Sequence, residues 1–279
     1  MECVDLYPRI ETALTCAEVG RKLSLTVALE ADWQAQRLRR DNAAPLYRLP
    51  EAGRPLRPPL VSPSQVPKRS LATTEGHAAL IHAIAHIEFN AINLALDAAW
   101  RFRDMPDAFI GDWLRIAAEE AGHFALLQQR LAEIGYAYGD FPAHDGLWSM
   151  TYKTDHDPLV RMALVPRVLE ARGLDATPGI QRRLQSMGDH ASVAILDVVL
   201  REEIGHVKVG NYWFAWLCQQ RGRSPWQRFA SCWPTMGWSS IAGRIICWRV
   251  SRPGFRRRSW KCWSWRYQRR TERGDRLAE

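Results

Sequence analysis

The sequence predicts an all-α protein: a four-helix bundle preceded by an extra N-terminal helix and a Pro-rich strap. Three observations carry this. Four long segments repeat apolar residues at helical spacing. Almost no segment alternates with the two-residue period of a strand. A Glu-x-x-His motif occurs twice, each time after a helix that holds a lone Glu among apolar residues. With 279 residues and 47% apolar content, the chain can bury a sizeable core.

Residues 11–40 read as the extra helix, with apolar residues at helical spacing in KLSLTVALEADWQAQRL. Residues 45–67 are too rich in proline for a helix and read as an extended strap. The first long helix is expected over 74–103, with Thr73 or Thr74 as N-cap, until Met105-Pro106-Asp107 breaks it. The second spans 107–134 and stops at Gly135, a suitable residue just past a helix end. A loop rich in aromatics and His follows over 136–157. The third starts at Pro158 and runs to Arg172. Gly173 and Thr177-Pro178-Gly179 interrupt it, and a short helix continues to Met187. The fourth covers 189–220. The resulting organisation is an N-terminal helical segment (1–43), the strap (44–72), the bundle (73–222) and an atypical tail (223–279).

No basic segment leads into an apolar stretch at the start, and no uninterrupted apolar run has the length of a membrane span. The expected compartment is the cytoplasm. Cys3, Cys16, Cys218, Cys232, Cys247 and Cys262 show no zinc-ligand spacing and read as free thiols. The net charge of +8 is uneven. From Gln219 onward, 15 Lys and Arg face 3 Asp and Glu, a net of +12, which leaves −4 for residues 1–218. The body alone therefore gives no electrostatic case for nucleic acid.

The chemistry-bearing residues fall into a repeat. Glu88 lies in HIEFNAINLAL, and Glu120 and His123 lie in EEAGH. Glu170 lies in LVPRVLEARGL, and Glu203 and His206 lie in EEIGH. Residues three apart share one helix face, so each Glu-x-x-His pair can reach one point. Isolated buried carboxylates are costly, but two divalent cations would neutralise four of them. One Glu from each of two helices and Glu-x-x-His from the other two is the donor set of ferritin-like di-metal sites. Oxygen-rich ligation with one imidazole per ion suits iron, and next manganese. Glu119 and Glu202 read either as hydrogen-bond partners of the imidazoles or as solvated surface acids. Gly122 and Gly205 read as room for a neighbouring helix or for O2. His82 and His86 lie off the Glu88 face and read as packing or hydrogen-bonding residues. His77 and His190 read as exposed, and His144 and His156 as loop residues beside a possible entrance to the site.

The stretches HAIAHIEFNAINLALDAAWRF, WLRIAAEEAGHFALL, YGDFPAHDGLW, RMALVPRVLEARGLDATPGI and ILDVVLREEIGHVKVGNYWF closely resemble the bacterial ferritin-like family catalogued as domain of unknown function 455. The resemblance spans residues 22–222. It implies a ferritin-like fold and Glu88, Glu120, His123, Glu170, Glu203 and His206 as metal ligands. It also implies a distant likeness to tRNA-hydroxylating di-iron enzymes, a fold-level analogy only. The family pattern has acidic residues where this chain has His190 and Glu202. Glu202 keeps the charge and His190 does not.

After about Ala230, tryptophans crowd among arginines without helical or strand period. An RNA-binding or anion-binding segment is one reading. A shifted reading frame is preferred. SWKCWSW, read one base out of register, can encode Leu-Glu-(Met or Val)-Leu-Glu-Leu, and GFRRR can encode Phe-Ser-Glu-Glu-Glu. The family's expected ending resembles GFSEEEL.

Three functions are expected, in this order: an O2-dependent di-iron oxidase or hydroxylase, an iron-handling protein (ferroxidation, storage or peroxide removal), and a scaffold with structural metals.

Overall fold

The computed structural model describes residues 4–41 and 43–222. Its centre is helix α3 (Thr74–Arg101), which is buried almost all round. The Thr73 hydroxyl caps its start by accepting the Gly76 N–H at 3.0 Å, and Arg101 sits at the negative end of the helix dipole. Helix α4 (Asp107–Glu133) returns along α3 after the Pro106 break. It ends before Gly135, whose φ of 84° is the left-handed conformation glycine adopts at little cost. Helix α8 (His190–Gln220) packs on α4 and starts at Asp189, whose carboxylate accepts the Ser192 N–H at 2.9 Å.

The N-terminal segment differs from the single helix expected over 11–40. It forms α1 (Leu6–Thr15) and α2 (Val19–Gln34). Glu18 starts the second helix by accepting the Gly20 and Arg21 N–H groups. The chain then turns at Gln36, and β2 (Leu38–Arg39) pairs in parallel with β1 (Val4–Asp5). Lys22 is fully buried. Its ammonium donates to the carbonyls of Ala13 and Leu14 and to Asn93 Oδ1, tying α1, α2 and α3 together.

The aromatic loop contains a helix the sequence reading missed, α5 (Gly146–Lys153). Helix α6 (Pro158–Leu164) runs into a π-helical segment, Val165–Glu170, and then into α7 (Ala171–Ser186). The expected interruption at Gly173 and 177–179 is therefore displaced upstream. Pro166 has no N–H to return to the preceding turn, and the helix register widens there. Pro178 is accommodated inside α7, and the Thr177 hydroxyl donates to the Gly173 carbonyl at 2.8 Å.

One buried ion cluster joins α3 to α6. Asp97 pairs with Arg101 at 2.7 Å and with the fully buried Arg161 at 2.8 Å. The Pro-rich segment crosses these elements. Gly53 N–H donates to the Leu14 carbonyl, the Trp148 indole donates to the Pro50 carbonyl, Val61 N–H donates to the Ala143 carbonyl, and Ala143 N–H donates to the Pro59 carbonyl. Helix α3 is long and apolar enough to cross a membrane, yet it is the core helix, with most of that window buried inside the protein.

Candidate metal centre

Five of the six expected ligand side chains converge. Glu88 comes from α3, Glu120 and His123 from α4, and Glu203 and His206 from α8. Donor atoms of Glu88, Glu120, His123 and Glu203 all lie within 4.8 Å of one another. His123 Nδ1 is 3.3 Å from Glu88 and 3.2 Å from Glu120. His206 Nδ1 is 3.0 Å from Glu120 and 3.7 Å from Glu203. The two rings are 6.0 Å apart. The backbone of Glu170 closes the π-helical segment; its side chain lies outside the described residues.

The outer carboxylates cross over. Glu202, on α8, meets Nε2 of His123, on α4, at 2.9 Å. Glu119, on α4, meets Nε2 of His206, on α8, at 2.7 Å, and is itself held by Arg115 at 2.7 Å. This decides between the two sequence readings: Glu119 and Glu202 are partners of the imidazoles. A carboxylate only accepts, so each Nε2 carries the proton. Each Nδ1 lone pair then faces inward, toward other acceptors.

That inward arrangement is unstable without a cation, and three buried atoms show it. With Nδ1 unprotonated, Glu120 Oε1, Glu203 Oε2 and His206 Nδ1 have no hydrogen-bond partner, although the first and last face each other at 3.0 Å. Without another cation, protons take that place. Burial pulls the His123 imidazole down, but its hydrogen bonds to Glu120 and Glu88 prevail and raise it to about 11. His206 is likewise raised, its bonds to Glu119 and Glu120 outweighing burial. Burial, then the charge of Glu120, pushes the Glu88 and Glu203 carboxyls up. Glu120 stays low because both imidazoles hold it ionised against the cost of burial. The donor set and its unpartnered atoms fit divalent cations.

Access is also defined. A Cβ built on Gly122 or Gly205 would meet no atom within 4 Å, so neither glycine makes room for a neighbouring helix. Gly122 instead borders an open depression of about 430 Å³ between α4 and α8, lined also by Glu119, His123, Leu126, Val198 and Glu202. The expected entrance beside 144–148 leads elsewhere: Asp145 and Trp148 line a separate cavity on the His86 side of α3. His82 and His86 hydrogen-bond as expected, His82 Nε2 accepting the Gly139 N–H and His86 Nδ1 meeting the Tyr138 hydroxyl. His77 is not exposed, contrary to expectation. It bonds Asp189 at 2.6 Å, joining the start of α3 to the start of α8. No pattern in the sequence marks the exchange of outer carboxylates, because it exists only once α4 and α8 are packed.

These features define a helical protein with a buried carboxylate–imidazole cluster able to hold metal ions. The chain belongs to the family described as "Protein of unknown function (DUF455)", whose model matches residues 15–244. It is 50% identical over 238 residues to an uncharacterized protein of Haemophilus influenzae, covering 78% of this chain and 79% of the relative. No solved structure matches it. The Trp/Arg-rich tail, with its proposed frame change, lies outside the described residues.

Proposed function

We propose that the protein is a ferritin-like di-metal carboxylate protein that uses O2 to oxidise or hydroxylate a substrate. Its ions would be iron, or manganese in its place, held by Glu88, Glu120, His123, Glu170, Glu203 and His206. The observation that carries this reading is the inward His206 Nδ1 facing the buried Glu120 Oε1 at 3.0 Å, both without a hydrogen-bond partner, beside His123 Nδ1 directed at Glu88 and Glu120. Ferrous ions bound there would supply the electrons for O2 chemistry.

The remaining work falls to the chain. Glu119 and Glu202 fix the tautomer and orientation of the imidazoles. Packing of α3, α4 and α8 keeps water from Glu88, Glu120 and His206. The depression beside Gly122 brings an external molecule to the edge of His123. Its wall carries Glu119 and Glu202, and residues 1–218 net −4, which disfavours a polyanion such as tRNA and favours a neutral or cationic substrate.

The test is anaerobic ferrous loading followed by exposure to O2. About two irons per chain and rapid O2 uptake are expected. Failure to bind iron together with no O2 uptake overturns the reading. A hollow oligomer by light scattering would favour iron storage instead.

A further inference from the structure

Away from Glu88, α3 presents a second polar surface, formed by His86, Asn90 and Asn93, to the Pro-rich strap. Between them is a partly enclosed cavity of about 40 Å³, room for about three waters or a molecule of that size. Phe89 and Trp148 wall it, and the Trp148 indole is fixed by its bond to the Pro50 carbonyl.

Two of its groups lack the partner their chemistry requires. Asn93 is only 1% exposed. Its orientation is dictated by Lys22: an ammonium can only donate, so Asn93 turns Oδ1 toward it, at 2.6 Å. The Asn93 NH2 is thereby turned away from Lys22, and no acceptor among the described residues takes it. Arg54, half-buried on the strap, makes one long hydrogen bond, 3.3 Å to the Pro55 carbonyl, and no ion pair among the described residues. Its charge nevertheless acts on both His86 and Tyr138, which line the same cavity. A guanidinium and an amide NH2 on one small chamber, both unused as donors to an anion, match a carboxylate.

We infer that the cavity between α3 and the strap binds a small monocarboxylate, its oxygens taken by Arg54 and Asn93 Nδ2. The size limit excludes anything much larger than acetate in the chamber itself. Glu51 and Asp145 also border the cavity but are exposed and screened by solvent, and their repulsion weighs twice as heavily on a doubly charged anion as on the single charge that Arg54 can match. The site is separate from the proposed metal centre, and neither assignment depends on the other.

Fluoroacetate observed by 19F NMR tests this on the full chain. Saturable line broadening, reversed by acetate and not by inorganic phosphate at equal ionic strength, is expected. Arg54→Gln removes the charge-assisted bonds from a side chain that supports no ion pair, and affinity should fall roughly tenfold or more. Ala52→Leu, placed on the cavity lining, should abolish binding by filling it. Absence of saturable binding overturns the inference, as does displacement by phosphate as effective as by acetate. Binding that persists unchanged in Arg54→Gln also overturns it, since that result would place the ligand at the metal centre or elsewhere.

Discussion

The two halves of the bundle carry the same motif in different settings. In the first, Glu88 stands on a long, regular α3 and Glu120 is fully buried between both imidazoles, touching His123 and His206. In the second, the lone Glu ends a π-helical segment, and Glu203, its side chain 14% exposed, comes within ion-pair distance of His206 alone among the described residues, at 3.7 Å. A repeat that is nearly symmetric in sequence is therefore asymmetric in burial and contact. The first half has the regular backbone, and the second holds the irregular backbone often found where a site must open or adjust.

Substitutions can sharpen that contrast. The largest effect is expected from Glu120→Ala, which removes the carboxylate that both imidazoles approach. Metal content, measured by atomic emission, should fall to near zero, whereas Glu203→Ala should retain about one ion per chain. Equal losses in the two variants would break the asymmetry. Next, Arg161→Met removes one of the two guanidinium partners of the Asp97 carboxylate at the seam between α3 and α6. Leaving a buried charge with one partner fewer should cost about 3 kcal/mol or more, read as a lower urea midpoint.

The first half also contains an acid-sensitive joint. His82 is held neutral by burial, its imidazole pulled down to about 4 from the usual 6.5, and its Nε2 accepts the Gly139 N–H. As pH falls from about 6.5 to 4, the unfolded chain takes up a proton that the folded chain refuses. Stability is thus fully present above that window and is lost through it, by up to about 3 kcal/mol. His82→Gln keeps an acceptor for Gly139 and removes the titration. The acid limb of its stability profile should be flatter than that of the parent protein, and an unchanged limb would refute the assignment.

Smaller effects test the crossover. Glu119→Gln should weaken metal binding through His206, and Glu202→Gln through His123, each about tenfold to hundredfold in chelator competition. The smallest concern glycine. Gly205→Ala meets open space and should stabilise by about 1 kcal/mol. Gly210→Ala drives a Cβ to 2.3 Å from Pro166 in the π-helical segment, and should destabilise by about 1–3 kcal/mol.

Much of this was legible in the sequence because it is local. Thr73, Asp189 and Gly135 mark helix ends by their own side chains or backbone freedom, and the lone Glu and Glu-x-x-His spacings placed five side chains in one cluster. Features set by packing were not legible. Glu18 is an unusual N-cap, so no familiar capping residue marks the break between α1 and α2. Helix α5 is too short to show a period. Pro166 looked like part of a helix begun at Pro158, although it is where the register changes. His77 reads as a surface residue until the start of α8 brings Asp189 beside it.

The exchange of Glu119 and Glu202 has a consequence for how the protein can come apart. Each outer carboxylate orients an imidazole carried by the other helix. Neither hairpin, cut free, would keep the Nε2 partner of its own histidine. The arrangement is that of two interlocked hairpins sharing one lock, so the cluster should form and dissolve as a unit, with no half-assembled state in which one imidazole is already set.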